Sequence, residues 1–428
     1  MRTFDTRSTP IADLGRLFDE RLEAAAADAE EAVREILADV RNRGDAAVLD
    51  YTRRFDYPHA ENLRVPEERI EEAAERIART PLQNALEQAA QRIRVFHEKH
   101  RRTSWIDAER PGETLGQIVR PLAQVGIYVP GGTADYPSTV LMTCIPAAVA
   151  GVGRIAVATP PNRETGLPPI ATLAALRIAG VTEVYAMGGA QAIAAFAFGT
   201  RSVARVDKVF GPGNVYVNLA KKMVYGMVGV DLLAGPSEVA VLADEAGDPV
   251  AAAADILTQC EHDTNSSALV VSPSEAFLQA VREEIARQAT TLPRGEIARQ
   301  ALAAHGFCVL TRDLSEAAAV VSRYAPEHLH LDTREPYGLL GAITNAGAIL
   351  IGRHTSAPLG DYVAGPSHTL PTAGCARFAS PLNIDDFTKK TSLLAFSADA
   401  ASALSEAAVV FAEFEGLEGH ARAARRHR

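Results

Sequence analysis

From residue 113 onwards the chain alternates short β-branched runs with Ala-rich stretches of helical length, and that rhythm narrows the fold more than any other feature. The runs fall at 125–129, 155–159, 183–187, 206–210 and 238–243, and a second set follows at 267–271, 307–311, 328–331 and 348–351. Strands separated by single helices pack as a parallel sheet covered by helices. Nine strands make a large single sheet, so two α/β sheets are expected. Before them, residues 10–102 are rich in Ala, Glu and Arg, with apolar residues at helical spacing, as at Leu22, Ala26, Ala32, Ile36 and Val40. Thr80-Pro81 opens one of these helices, with a capping residue followed by proline at the first helical position. Residues 1–105 therefore read as helical, as do 399–420, and the basic tail at 423–428 reads as a cationic helix end.

Composition excludes several classes of function. The 428 residues are 47% hydrophobic and 22% charged, enough for roughly three domains and far from a disordered composition. The net charge is −10 and the positive residues are scattered, which argues against a nucleic-acid face. The most apolar stretch, 139–159, is interrupted by Pro146, Gly151, Gly153 and Arg154 and is no membrane helix. The first residues carry two acids and no apolar core of the secretory type, so a cytoplasmic protein without a membrane partner is expected. The four cysteines, Cys144, Cys260, Cys308 and Cys375, form no C-x-x-C pair and indicate neither disulfides nor a zinc knuckle.

Three glycine turns follow predicted strands and lead into predicted helices: Gly131-Gly132, Gly188-Gly189 and Gly211-Pro212-Gly213-Asn214. Such turns present N–H groups to an anion at a strand end. A fourth pattern, GVGRIA at 151–156, fits the letters of a dinucleotide fingerprint but precedes its strand, where a fingerprint must follow one.

The polar candidates lie further on. Gln259 and His262 are three residues apart at a predicted helix end and project from one face, as a pair of metal ligands must. Cys260 beside Glu261 has no electropositive neighbour in sequence to make it a thiolate. Glu327 and His328 leave a loop at a strand start, a placement that suits two distinct acid–base duties or a solvated turn. Residues 358–378 show almost no periodicity, and a stretch of this kind in a compact domain usually serves function. It holds Asp361, Tyr362 and His368, and the C-terminal helix adds Glu415 and His420. Gln259, His262, Asp361 and His420 make a mixed nitrogen and oxygen set suited to zinc or manganese, although spacing alone does not bring them together. A zinc hydrolase with Glu327 as base would use the same set, and a non-catalytic binding protein is a third reading. The three glycine turns favour nucleotide chemistry.

These motifs resemble the histidinol dehydrogenase family. The resemblance runs through VGIYVPGG (125–132), STVLM (138–142), GGAQAIAAFAFGT (188–200), FGPGN (210–214), AGPSE (234–238), QCEHD (259–263), APEHL (325–329), LGDYVAGPSHTLPT (359–372) and EGLEGH (415–420). It implies an α/β fold of two related Rossmann-like parallel-sheet domains with helical N- and C-terminal extensions. It divides the chain into an extension at 1–25, a first domain of 26–127 plus 237–382, a second of 128–236, and a C-terminal extension at 383–428. It implies oxidation of L-histidinol to L-histidine by NAD, with one Zn²⁺ per subunit held by Gln259, His262, Asp361 and His420. Glu327 and His328 would be the acid–base pair. Ser237, Gln259, His262, His328, Asp361, His368, Glu415 and His420 would meet the substrate, and Tyr128, Gln191 and Asn214 the NAD. It implies a homodimer whose helical N- and C-terminal extensions are exchanged between subunits, so Glu415 and His420 would reach the partner's site. Ser367 stands where many relatives have asparagine and Cys260 where alanine is common, and neither replaces a ligand or base. The family also has paralogues that oxidise other amino or sulfonated alcohols.

Overall fold

All six residues of the strand Glu238–Ala243 are buried, and so are all six of Ser267–Ser272, as parallel strands covered on both faces must be. The computed structural model describes residues 1–19, 27–131 and 135–426, so Leu22, Ala26 and Gly132 lie outside the described residues. Glu238–Ala243 is β9 and Ser267–Ser272 is β10 of a six-stranded parallel sheet, joined by β1 (Arg2–Asp5), β11 (Gly306–Leu310), β12 (His328–Asp332) and β13 (Ala348–Ile351). Their order is β1-β11-β10-β9-β12-β13. A second parallel sheet has five strands in the order β6 (Val184–Ala186), β5 (Arg154–Thr159), β4 (Gln124–Tyr128), β7 (Lys208–Phe210) and β8 (Gly229–Val230). Apart from β1, each sheet runs third, second, first, fourth, fifth in its own chain order, the Rossmann order. The two α/β units are thus alike in topology.

Side chains alternate between the faces of each sheet. In the first sheet Val239, Val241, Ala268 and Val270 face α10 (Pro249–Cys260), α11 (Glu275–Ala289) and α12 (Gly295–His305). Ala240, Leu269, Leu329 and Leu331 face α1 (Ile11–Asp19) and α13 (Leu314–Tyr324). In the second, Tyr128, Ala156 and Val209 pack on α2 (Ala27–Arg43), α3 (Asp45–Phe55), α8 (Gly189–Phe198) and α9 (Val215–Val224). Val125, Ile127 and Val157 pack on α4 (Glu67–Arg76), α5 (Pro81–Glu98), α6 (Pro137–Ala150) and α7 (Ile170–Ala179). The expected cap holds, with Thr80 Oγ1 accepting from the Gln83 amide at the start of α5.

Four expectations need correction. Residues 1–105 are not all helical, because β1 pairs with β11 at the sheet edge, where Phe4 stacks on Phe307 at 6.4 Å. A three-stranded antiparallel sheet was not expected: β3 (Glu113–Pro121) lies between β2 (Trp105–Asp107) and β14 (Thr388–Phe396). Residues 358–378 contain most of a short helix, α14 (Ala357–Tyr362), and a 3₁₀ turn at Cys375–Arg377. The C-terminal helix is broken at Gly416, whose φ of +73° ends α15 (Ala398–Phe414) before α16 (Glu418–Arg425). Among the described residues no helix is long and apolar enough to cross a membrane.

Candidate active site

The carboxyl ends of the second sheet carry a cavity. It has a volume of about 860 Å³, within the range of ligand sites, and Tyr128, Gly131, Gly189, Gln191 and Asn214 line it. It opens where β4 and β7 are neighbours and the strand order reverses, the usual place for a ligand in such a sheet. Its turns are tightly built. Gly211 has a φ of +105°, and a Cβ there would lie 2.0 Å from the Tyr128 carbonyl oxygen, so only glycine lets the two strand ends approach. Buried Asp231 accepts from the Gly211 amide at 2.7 Å, and buried Lys221, its ion-pair partner, donates to the Gly211 carbonyl at 2.9 Å. Asn214 caps α9, its Oδ1 accepting from the Tyr216 and Val217 amides. The Tyr128 hydroxyl accepts from the Gly189 amide at 3.2 Å, and burial pushes the phenol up to about 12. Sequence reasoning missed Asp56, at the end of α3. Its Oδ2 accepts from the Gly188 amide at 3.0 Å and from Gln191 Nε2 at 3.2 Å, and burial pushes its carboxyl up to about 6. An acid in a helical, Arg-rich stretch looks like a solvated residue, so no signal in the sequence marked it.

The polar candidates gather elsewhere, at the amino edge of the first sheet. Ala325, with a φ of +52°, closes α13 in the left-handed region and turns the chain so that Glu327 and His328 enter β12 together. His328 Nδ1 is 3.7 Å from Glu327 Oε2, and its Nε2 is 3.1 Å from Asp361 Oδ1 on α14. Glu327 Oε2 accepts from the Glu238 amide at 2.9 Å, which fixes the carboxylate beside β9. Burial alone would lower the His328 pKa; the charge of Glu327 and the hydrogen bond to Asp361 outweigh it and push it up to about 10. For Asp361 the balance falls below the ordinary value: burial raises it and His328 more than offsets that.

Two further contacts tie the cluster together. Gln259 Nε2, at the buried end of α10, reaches Asp361 Oδ2 at 3.4 Å. His262, one turn on and exposed, points Nδ1 at Ser237 Oγ, 3.1 Å away. His368 Nδ1 donates to the Asp361 carbonyl at 2.8 Å, which leaves Nε2 to accept from Thr139 Oγ1 at 3.1 Å. That neutral tautomer agrees with a pKa lowered by burial. Thr139 sits in the first turn of α6, four residues beyond Asp135, which lines the cavity. The start of α6 therefore links the cavity to the polar cluster. Cys260 is inert, since burial pushes its thiol up to about 12.

Glu415 and His420 stand apart from this cluster. Glu415 caps α15, His420 is exposed on α16, and no hydrogen bond or ion pair joins either to Gln259, His262 or Asp361 among the described residues. The two helices pack on each other through Val409, Ala412 and Ala421. Among the described residues no group of three or more His, Cys, Asp or Glu side chains is arranged to hold a metal. The donors present are nonetheless chemically matched to one. Gln259 and Asp361 touch, His262 is one turn away, and this open, thiolate-free set suits a catalytic metal better than a structural one.

Known proteins answer to this arrangement. A family model for histidinol dehydrogenase matches residues 19–428. Histidinol dehydrogenase from Heliobacterium mobile is 50% identical over 393 residues, covering 91% of this chain and 92% of its own. The Pseudomonas aeruginosa protein of the same name is 48% identical over 418 residues, covering 96% and 94%. The crystal structure of histidinol dehydrogenase from Elizabethkingia anophelis superposes with a TM-score of 0.94 at 34% identity, over 100% of this chain and 98% of that one. The twin Rossmann-ordered sheets and the polar cluster thus lie in a chain that belongs to the histidinol dehydrogenase family of oxidoreductases.

Proposed function

We propose that this chain oxidises L-histidinol by way of L-histidinaldehyde to L-histidine, the end of histidine biosynthesis, with two NAD⁺ consumed in succession. One observation carries the proposal: Glu327, His328, Asp361 and Gln259 meet in a buried cluster that the start of α6 connects to a nucleotide-sized cavity. The names of the relatives support the substrate.

In this reading Gln259, His262, Asp361 and the partner subunit's His420 hold one zinc per subunit, while Tyr128, Gln191 and Asn214 line the NAD site. When bound, the zinc supplies a docking point for the substrate's imidazole and amino nitrogens, and each nicotinamide an acceptor for hydride. Protein side chains do the rest. Ser237 and His368, with the partner subunit's Glu415, hold the substrate in one orientation, which removes much of the entropic cost of reaction. His328 takes the alcohol proton. Glu327, anchored through one oxygen by the Glu238 amide, uses the other to draw a proton from the water that attacks the aldehyde.

The same reading makes the protein a cytoplasmic homodimer with shared sites, divided into 1–25, 26–127 with 237–382, 128–236, and 383–428. Phe411 and Phe414 on α15, 70% and 93% exposed in the single chain, support a partner for that helix. The test is to give the purified protein L-histidinol and NAD⁺ and follow NADH by absorbance, before and after chelation. Two NADH per histidinol, lost on metal removal and regained with zinc, is the expected result; no NADH from histidinol overturns the proposal.

A further inference from the structure

Strand β12 reads His-Leu-His-Leu-Asp, and its polar residues His328, His330 and Asp332 share the face opposite Leu329 and Leu331. All three are buried, at 5%, 2% and 6% exposure. A polar face inside a parallel sheet is costly unless each group has a partner. His328 belongs to the cluster already described; the other two do not.

Both of the others hold α10. Asp332 Oδ2 accepts from the amide of Asp248, the residue that caps that helix, at 2.8 Å. Two turns along, Asp255 of α10, 5% exposed, forms an ion pair with His330, Oδ2 to Nδ1 at 2.6 Å. His330 Nε2 faces the Gly352 carbonyl oxygen at 3.1 Å, so the ring is held between that carbonyl and Asp255. The second oxygen of Asp255 accepts from the Ala357 amide at 3.3 Å, in the first turn of α14. Asp255 and His330 therefore join three elements at one buried point.

The spacing from that point to the site repeats in all three. Gln259 is four residues beyond Asp255 on α10, Asp361 is four beyond Ala357 on α14, and His328 is two before His330 on β12. Four residues is one helical turn and two is one strand repeat, so each step stays on the same face. We propose that Asp255 and His330 are positioning residues that set the height of α10 and α14 against β12, and so bring Gln259, Asp361 and His328 together.

The inference rests on the zinc reading above, and zinc binding by the full-length protein tests both. Metal-free protein is titrated with zinc in competition with a chromogenic chelator, for the wild type and for Asp255→Asn and His330→Gln. Val309→Ala, a cavity in β11 on the opposite face of the sheet from α10, serves as a control for lost stability. Loss of an outer partner of a metal site costs about 10- to 100-fold in metal affinity. That loss is expected in both polar variants, with zinc affinity unchanged in Val309→Ala at a similar fall in thermal midpoint. If the polar variants fold and bind zinc within about twofold of the wild type, or if Val309→Ala loses as much, the positioning role is overturned. If the wild type takes up no zinc, the zinc reading itself fails. His330→Gln is the milder change and keeps the test open if Asp255→Asn does not fold.

Discussion

His328 Nε2 stands 3.1 Å from Asp361 Oδ1, and this one contact closes the gap between β12 and α14. It joins the proposed general base to a candidate metal ligand. Whatever neutralises Asp361 also lowers the proton affinity of His328, so a cation bound there prepares the imidazole to accept a proton.

The contact sets a pH dependence in the metal-free protein. An unfolded imidazole titrates near about 6.5, whereas in the fold Glu327 and Asp361 push His328 up to about 10. The folded state holds the proton more tightly, so the stabilisation is complete below pH ~6.5 and is lost as pH rises towards ~10. The thermal midpoint of metal-free protein should fall by at least about 2 °C across that window. His330, raised in the same direction by Asp255 against the lowering effect of burial, contributes to the same fall. His328→Gln should make the slope visibly shallower, and an unchanged slope by calorimetry means that His328 is not held as the cation.

Glu327→Gln keeps an oxygen for the Glu238 amide and therefore should keep the fold, but removes the proposed base. A positioned base is worth about 10²- to 10⁴-fold, and the loss should fall on aldehyde oxidation far more than on alcohol oxidation. In a rapid-mixing experiment with histidinol the variant should release one NADH per site quickly and the second slowly. Equal, mild losses in both steps remove Glu327 from the water-activating role.

Asp56 ties the Gln191 side chain and the Gly188 turn to α3 beneath the cavity. In Asp56→Ala the Gly188 amide and Gln191 Nε2 both lose Oδ2, the one acceptor they share. A hydrogen bond to a charged group is worth about 1.5–3 kcal/mol, so NADH should bind at least about tenfold more weakly, measured by nicotinamide fluorescence. Burial pushes Asp56 up to about 6, so wild-type affinity should also weaken as pH falls through that value, and the variant should lack this dependence. Equal NADH affinity in the two proteins removes Asp56 from the nucleotide site.

What could be read from the sequence follows from the range of each interaction. The βα rhythm is local, and each expected strand from 125–129 to 348–351 is present within a few residues of its place. The antiparallel sheet is local only in part. β2 and β3 form a hairpin, but β2 has three residues, too few to show a period, and Thr388 pairs with Pro121 and Phe396 with Glu113, so β14 has no partner near it in sequence. The four residues of β1 are too few to show a period, and they pair with β11, Arg2 with Phe307 and Asp5 with Leu310, far from them in sequence. At the site, Gln259 and His262 were marked by helical spacing, while Asp255, one turn earlier, looked like any acid in a helix. Its significance comes from His330, which only the fold brings to it. Lys221 and Asp231 escaped notice for the same reason, as ordinary charges that the fold buries together.

The C-terminal hairpin offers the last test. α15 and α16 carry Glu415 and His420, yet within one chain neither makes a hydrogen bond or ion pair with Gln259, His262 or Asp361 among the described residues. Phe414, 93% exposed, and Phe411, 70% exposed, are more apolar surface than a surface helix usually leaves to water. If a second copy covers them, each zinc set combines Gln259, His262 and Asp361 of one subunit with the partner subunit's His420. A His262→Asn variant and a His420→Asn variant should then each be inactive alone. Mixed after unfolding and refolded together, they form heterodimers in which one of the two sites has both wild-type imidazoles. Random assortment places half of the chains in such dimers, so about a quarter of wild-type activity should return, with zinc recovered in the same proportion. Heterodimers shown to form by differently tagged subunits, yet without activity or zinc, would mean that each site is built within a single chain.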